Sequence, residues 1–408
     1  MAAGWSITGL PNNNKQQYHS CRHAPLPTAN TEDPSHRLPP KAACRHSRSN
    51  YVYVLPTLLT IRLLLIELSR LFTLRTMKPQ KLGKPLKAPP VPSPSASIML
   101  LSPTNQLLLL HRVNTSSSFA SAHVFPGGNC HAFHDGPIPA PDDPKRHLDG
   151  DVYKLAAIRE TFEESGILLA RDAAGKLLSL SPEVRAEGRK AVHANKIPFP
   201  EWVKQHGGVP DTGGLVPFTR WITPPAPHLK KRFTAQMYIY LLPFNWVNEV
   251  ATHDGGLEHT AADFDDVQTW IKKSQDNEII LFSPQAYLIN MLGQFFTGAK
   301  DYEAQRHRLL EFLQTVPTGP TDHPTAKIPW ADKVMSPSQL PGVQFADGRV
   351  VIRNDDPGPE LRGTERGGDW DRVIVSMLGK GGRDGGKMMW RKDVLAAAAA
   401  ERPSEAKL

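Results

Sequence analysis

Apolar residues follow three different rhythms along this chain, and each predicts a different element. Ser97 to Leu101 and Gln106 to Arg112 are nearly unbroken apolar runs on either side of Ser102-Pro103-Thr104-Asn105, which carries turn chemistry, so the segment predicts a strand pair. Met237-Tyr238-Ile239-Tyr240-Leu241-Leu242 is continuous enough to be a strand buried on both faces. Between them the period becomes helical. At ~100° per residue, with Glu160 at zero, Glu164 lies near ~40° and Glu163 near ~300°, while Leu155, Ile158 and Phe162 gather around ~160–220°. That helix has one acidic face and one core face, and Gly166 is placed to end it with positive φ.

Other segments are read in the same way. Pro182 to Gly214 looks helical, with Val184, Ala191, Val192, Trp202 and Val203 as its apolar face, and either packs on the domain or covers a substrate. Asn277 to Pro284 reads as an edge turn, and Gln285 to Phe296 as a helix that closes the domain. After Pro317 short apolar runs at Val343–Phe345, Val350–Ile352 and Val373–Val375, with Asp347-Gly348 as a hairpin signal, predict a small β-rich extension. The first 76 residues show no sustained apolar period except at Tyr51–Phe72. The resulting division is a poorly structured extension over residues 1–96, a principal domain over 97–316 and the β-rich extension with a tail over 317–408.

Composition narrows the function classes. The chain has 408 residues, 38 prolines and a formal charge of +8, which suits anionic partners. Its basic residues are spread out instead of being interleaved with aromatics, so nucleic acid is not an expected partner. Tyr51–Phe72 contains Pro56, Arg62, Glu67 and Arg70; Arg62 alone would cost ~2.5–3.5 kcal/mol at a bilayer centre, and a membrane span is not expected. Three cysteines make no disulfide framework.

The acidic face is the main candidate for chemistry. Carboxylates three and four residues apart repel by a few tenths of a kcal/mol per pair, and the hard cations Mg²⁺ or Mn²⁺ prefer such oxygen ligands. Glu160, Glu163 and Glu164 are therefore the candidate metal ligands, joined by a backbone carbonyl of the Gly127-Gly128 turn, with Gly128 preferred. Arg159, four residues before Glu163, is placed to orient a carboxylate. Arg112 and the run Lys230-Lys231-Arg232 are candidates for meeting substrate phosphates, and Glu258, Asp263, Asp265 and Asp266 supply further acids. Cys130, His131 and His134 fall short of the four ligands of a structural zinc site. Gly381 to Lys387 nominally fits a phosphate-binding loop, but Met388 stands where a Ser or Thr would bind Mg²⁺; it reads as a flexible loop.

Arg159-Glu160-Thr161-Phe162-Glu163-Glu164-Ser165-Gly166-Ile167 together with Gly128 resembles the Nudix box, G-x5-E-x7-R-E-U-x-E-E-x-G-U, in which U is a bulky apolar residue. Thr161 departs at the first U, His134 followed by Asp135 stands where the box has its first glutamate, and a Pro/Asp-rich insertion stretches the first half. Ala122 to Gly128, Arg220-Trp221-Ile222-Thr223-Pro224, Arg232-Phe233-Thr234 and Glu278 to Gln285 resemble the peroxisomal Nudix hydrolases that cleave coenzyme A, over a span of about Ser97 to Leu313.

The resemblance implies an α/β/α sandwich with a mixed β-sheet, and hydrolysis of a small-molecule diphosphate by a metal-dependent pyrophosphohydrolase using Glu160, Glu163 and Arg159. Coenzyme A or acyl-CoA is the leading substrate, with 3′,5′-ADP and (acyl-)4′-phosphopantetheine as products. Nucleotide sugars, dinucleotides, capped RNA, or nucleotide binding without catalysis remain open. The general base is Glu163 or one of the later acids, among which Asp265 and Asp266 are favoured over Glu258. The final Ala406-Lys407-Leu408 is close to the Ser-Lys-Leu address read by the peroxisomal import receptor, the other expected partner. A mitochondrial address at the N-terminus is the alternative.

Overall fold

Strand β1, Ser93–Leu101, lies at the centre of the main sheet and is buried along most of its length. As expected it pairs antiparallel with β2, Leu107–Arg112, across a turn in which Ser102 Oγ accepts from Thr104 N and Gln106 N. On its other side β1 runs parallel to β8, Phe233–Leu241, in register from Ser93↔Phe233 to Leu101↔Leu241. The computed structural model describes residues 88–114, 120–226, 229–247, 251–252, 259–379 and 382–401. The Tyr51–Phe72 segment, Thr115–Ser118, Glu258 and Ala406-Lys407-Leu408 lie outside the described residues.

The sheet is completed by short strands around this centre. β3 (His123–Val124) and β9 (His259–Asp265) pair with β2, and β4 (Gly127–Asn129) pairs with the first half of β1. β7 (Val216–Ile222) flanks β8, and β10 (Val334–Met335), from the C-terminal part of the chain, runs parallel to β7. A small hairpin, β5 (Ala170–Asp172) with β6 (Gly208–Pro210), stands apart.

The apolar runs are continuous because helices cover both faces of the sheet. Alternate residues sort between two cores. Ala96, Ile98, Leu100, Leu108, Leu110, Tyr238 and Tyr240 pack with Ala157, Ile158 and Phe162 of the acidic helix. Met99, Leu101, Leu107, Leu109, Met237 and Ile239 pack with helices on the opposite side. Among the described residues, four α-helices precede β9: α1 (Ala132–Asp135), the acidic α2 (Asp151–Ser165), α3 (Pro182–His193) and α4 (Phe199–Gln205). The opposite layer is built from α5 (Val267–Gln275), α6 (Ser283–Leu292) and α7 (Tyr302–Gln314). The architecture is an α/β/α sandwich with a mixed sheet. Gly166 ends α2 at φ 75°, ψ 0°, its N–H donating to Phe162 O, as its position predicts.

The β-rich C-terminal extension is a four-stranded antiparallel sheet, β11 (Ser338–Gln339), β12 (Val350–Asn354), β13 (Asp369–Gly379) and β14 (Gly382–Trp390), with helix α8 (Arg391–Glu401) against it. Gly382–Lys387, expected as part of a flexible loop, belongs to β14, because pairing with β13 at Val375↔Lys387 and Ile374↔Met388 occupies its backbone. Val343 and Phe345 are buried in a loop instead of a strand. No helix among the described residues is long and apolar enough to cross a membrane.

Candidate active site

The glycine turn closes directly onto the acidic helix. Gly127 has φ 154°, and a Cβ there would lie 2.1 Å from Ser97 Oγ and 2.3 Å from Ala96 O, so β4 can approach β1 only without a side chain. Its N–H donates to Glu164 Oε2 at 2.7 Å. A Cβ on Gly128 would come within 2.5 Å of Glu160 Cδ, so the Gly128 backbone and the Glu160 carboxylate share a space that only glycine leaves open. The other oxygen of Glu164 faces β9, with His259 Nε2 at 3.7 Å.

Arg159 organises the remaining carboxylates. Its side chain is 5% exposed, and its Nη1 donates to Glu160 Oε1 at 2.8 Å and Glu163 Oε1 at 2.9 Å. Nε and Nη2 form a bidentate pair with Asp135 at 3.0 and 2.9 Å, and Nη2 also reaches Asn129 O. Burial opposes the arginine charge, but Glu160, Asp135 and Glu163 outweigh it and raise the guanidinium pKa above its ordinary value. Burial likewise pushes Glu160 up to about 7; Arg159 pulls it back, and Glu163 adds to the rise.

Asp135 and His134 divide the position where the box departs. Asp135, which sequence reasoning assigned no role, is the acid paired with Arg159; the only signal was an acid one residue beyond the usual glutamate. His134 turns away. Its Nδ1 accepts from Phe199 N at 3.1 Å, which leaves the proton on Nε2 to donate to Asn195 Oδ1 at 2.8 Å. Burial lowers its pKa, favouring this neutral ring.

Helix α3 reaches the site from the insertion. Arg189 donates through Nε and Nη2 to Glu163 O at 3.0 and 2.7 Å, and His193 Nδ1 lies 3.2 Å from Glu163 Oε2. Of the expected apolar residues, Val192, Trp202 and Val203 are buried in the core shared with α2, and Val184 packs against it. Sequence spacing within α3 contains nothing that announces the His193 contact.

The remaining candidates are placed elsewhere or at the margin. Arg112 ends β2 opposite His259, in contact distance of the site's border strand. Lys231 is exposed. Arg232 is 2% exposed and donates to Glu360, with Thr223 O and Pro90 O as further acceptors, which ties the start of β8 to the C-terminal extension. Asp265 pairs with Lys273 at 2.7 Å, and Asp263 is exposed. His259 of β9, which sequence reasoning did not select, lies 3.7 Å from Glu164 of the acidic helix.

Among the described residues no three His, Cys, Asp or Glu side chains form a ready-made metal-holding group. Glu160 and Glu163 are instead turned toward Arg159. Their donor chemistry nevertheless fits a hard divalent cation: carboxylate oxygens lie beside a glycine backbone that a Cβ would fill. Such an ion would be held by Glu160, Glu163, Glu164 and the Gly128 backbone.

Residues 141–292 match the family model described as the NUDT19 Nudix domain. The acyl-coenzyme A diphosphatase NUDT19 of Gallus gallus is 29% identical over 251 residues, covering 50% of this chain and 66% of that protein. The matched segment resembles a Nudix domain. It resembles the coenzyme A diphosphatase branch of the Nudix hydrolases, and the chain spans about two thirds of the length of this curated relative. Among solved structures, a NUDIX hydrolase from Alicyclobacillus acidocaldarius aligns with TM-score 0.38 at 22% identity, covering 48% of this chain and 89% of that one. A C. elegans Ap4A hydrolase aligns with TM-score 0.26 at 13% identity, covering 51% and 99%.

Proposed function

We propose that this Nudix domain hydrolyses the diphosphate of coenzyme A or an acyl-CoA, giving 3′,5′-ADP and (acyl-)4′-phosphopantetheine. The observation that carries the hydrolytic reading is the closure of the Gly127-Gly128 turn onto Glu164 and Glu160, because it sets a side-chain-free backbone against two carboxylates near the end of an acidic helix. The substrate class is supported by the named activity of the chicken relative.

A divalent cation held by these residues would neutralise diphosphate charge and acidify an attacking water. Glu163 is the proposed proton acceptor, since its carboxylate is oriented from both sides and remains 10% exposed. Arg159 keeps Glu160 and Glu163 at fixed positions and limits their mutual repulsion, while Asp135 keeps Arg159 in place. Arg112 and Lys231 are the proposed contacts for substrate phosphates.

The test is incubation of the full chain with coenzyme A, acyl-CoA, a nucleotide sugar and a dinucleotide, each with Mg²⁺ or Mn²⁺, with products separated by chromatography. Release of 3′,5′-ADP is expected from the coenzyme A substrates. Folded protein that releases it from neither overturns the substrate reading, and failure across all four overturns the hydrolase reading.

A further inference from the structure

The insertion that follows the acidic helix is fastened at two separate places. At one, His134 receives Phe199 N, the first residue of α4, and donates to Asn195 in the link between α3 and α4. At the other, His193, the last residue of α3, meets Glu163, while Arg189 one turn earlier holds the Glu163 carbonyl. The two oxygens of Glu163 are thus divided, with Oε1 facing Arg159 and Oε2 facing His193.

The geometry points to His193 as a positioning residue for Glu163, supplied by the insertion helix and acting with Arg159 to fix the carboxylate plane. A carboxylate held through one oxygen still rotates about its terminal torsion; a second donor on the other oxygen removes that freedom. The contact requires a proton on Nδ1, which one neutral tautomer and the imidazolium both provide. The site explains why the ring is not simply a surface group: its backbone belongs to a helix whose Arg189 is already docked on the same glutamate. This role rests on the reading of Glu163 as a ligand of a divalent cation and not on the identity of the diphosphate substrate.

The full chain carrying His193→Ala, His193→Asn or Lys190→Ala is titrated with Mn²⁺ alone, free Mn²⁺ being followed by electron paramagnetic resonance. Steady-state kcat and KM with coenzyme A are measured separately. Asparagine places an amide N–H near the position of Nδ1, whereas Lys190 is exposed on the same helix and contacts no carboxylate of the site. His193→Ala should weaken Mn²⁺ binding by about 10-fold and lower kcat with little change in KM, as loss of an outer partner of a ligand does. His193→Asn should recover most of the affinity, and Lys190→Ala should match the wild type. Because His193 is 56% exposed, its replacement should leave thermal unfolding unchanged. Unaltered Mn²⁺ affinity in His193→Ala, lack of recovery in His193→Asn, or absence of Mn²⁺ binding by the wild type overturns the inference. Coenzyme A left intact, while the Mn²⁺ affinities still separate as expected, overturns the substrate reading alone.

Discussion

Two buried charge networks in this chain are built on opposite principles. Around α2 a single arginine, Arg159, faces Asp135, Glu160 and Glu163, so acid is in excess. At the junction with the C-terminal sheet the signs nearly balance: Asp355 receives Arg353 and Arg391, Asp369 receives Arg372 and the Tyr287 hydroxyl, and the buried Asp371, whose N–H donates to Asp369, adds a third acid. Lys333 lies beside them, donating to Thr325 O and Gly368 O, with its pKa lowered to about 8 by burial. A balanced network is what a structural junction requires, since a buried ion without a partner is destabilising. The excess of acid near Gly128 suits a cation, and there burial, with Glu163 adding to it, pushes Glu160 up to about 7.

The sharpest separation of the two regions comes from Glu163→Gln, which keeps shape and removes charge. Hydrolysis should fall by about 10²–10⁴-fold in kcat while urea unfolding changes little; equal losses in both would make the acidic network a structural one. Asp355→Ala is the mirror experiment. Stranding Arg353 and Arg391 should cost about 3–5 kcal/mol in urea unfolding, with kcat per folded molecule retained.

Asp135→Asn should fall between these extremes, because Arg159 keeps Glu160 and Glu163 after the loss. A stability cost of about 1.5–3 kcal/mol, accompanied by a drop in kcat, would identify Asp135 as the support of Arg159. Gly127→Ala should cost at least about 1–3 kcal/mol through its φ and the contacts with Ser97 and Ala96, and should also depress activity.

The smallest expected effect concerns pH and a histidine in neither network. Burial, reinforced by Arg220, lowers the pKa of His147 to about 4, whereas the unfolded ring has its usual value of about 6.5. The unfolded chain therefore binds the proton first, and stability from this group is full above about 6.5 and falls as pH drops toward 4. At most about 3 kcal/mol is involved, and His147→Asn should flatten this part of the urea-unfolding profile measured between pH 7 and pH 4. An unchanged slope would exclude His147 as its source.

Much of the site was legible because its signals are local. Glu160, Glu163 and Glu164 share a face by helical period, Gly166 ends the helix by its own conformation, and β1 and β2 are joined by a turn encoded in four residues. Partners that arrive from distant segments left no comparable mark. Asp265 and Asp266 looked the better candidates among the later acids, yet the register that pairs Leu107 with Asp265 and Arg112 with His259 brings His259 to Glu164. Arg232 looked like a phosphate contact until Glu360, 128 positions later, was placed against it.

The sequence by itself determined the acidic helix, the glycine turn before it and the apolar runs that make the sheet, since each depends on spacing within a few residues. Only the tertiary structure decided that Asp135 and not His134 supports Arg159, that His134 fastens the insertion, and that His193 faces Glu163. The physical reason is that a buried charge or polar ring takes whichever partner the packed chain brings within hydrogen-bond distance, and that choice is made between segments far apart in sequence.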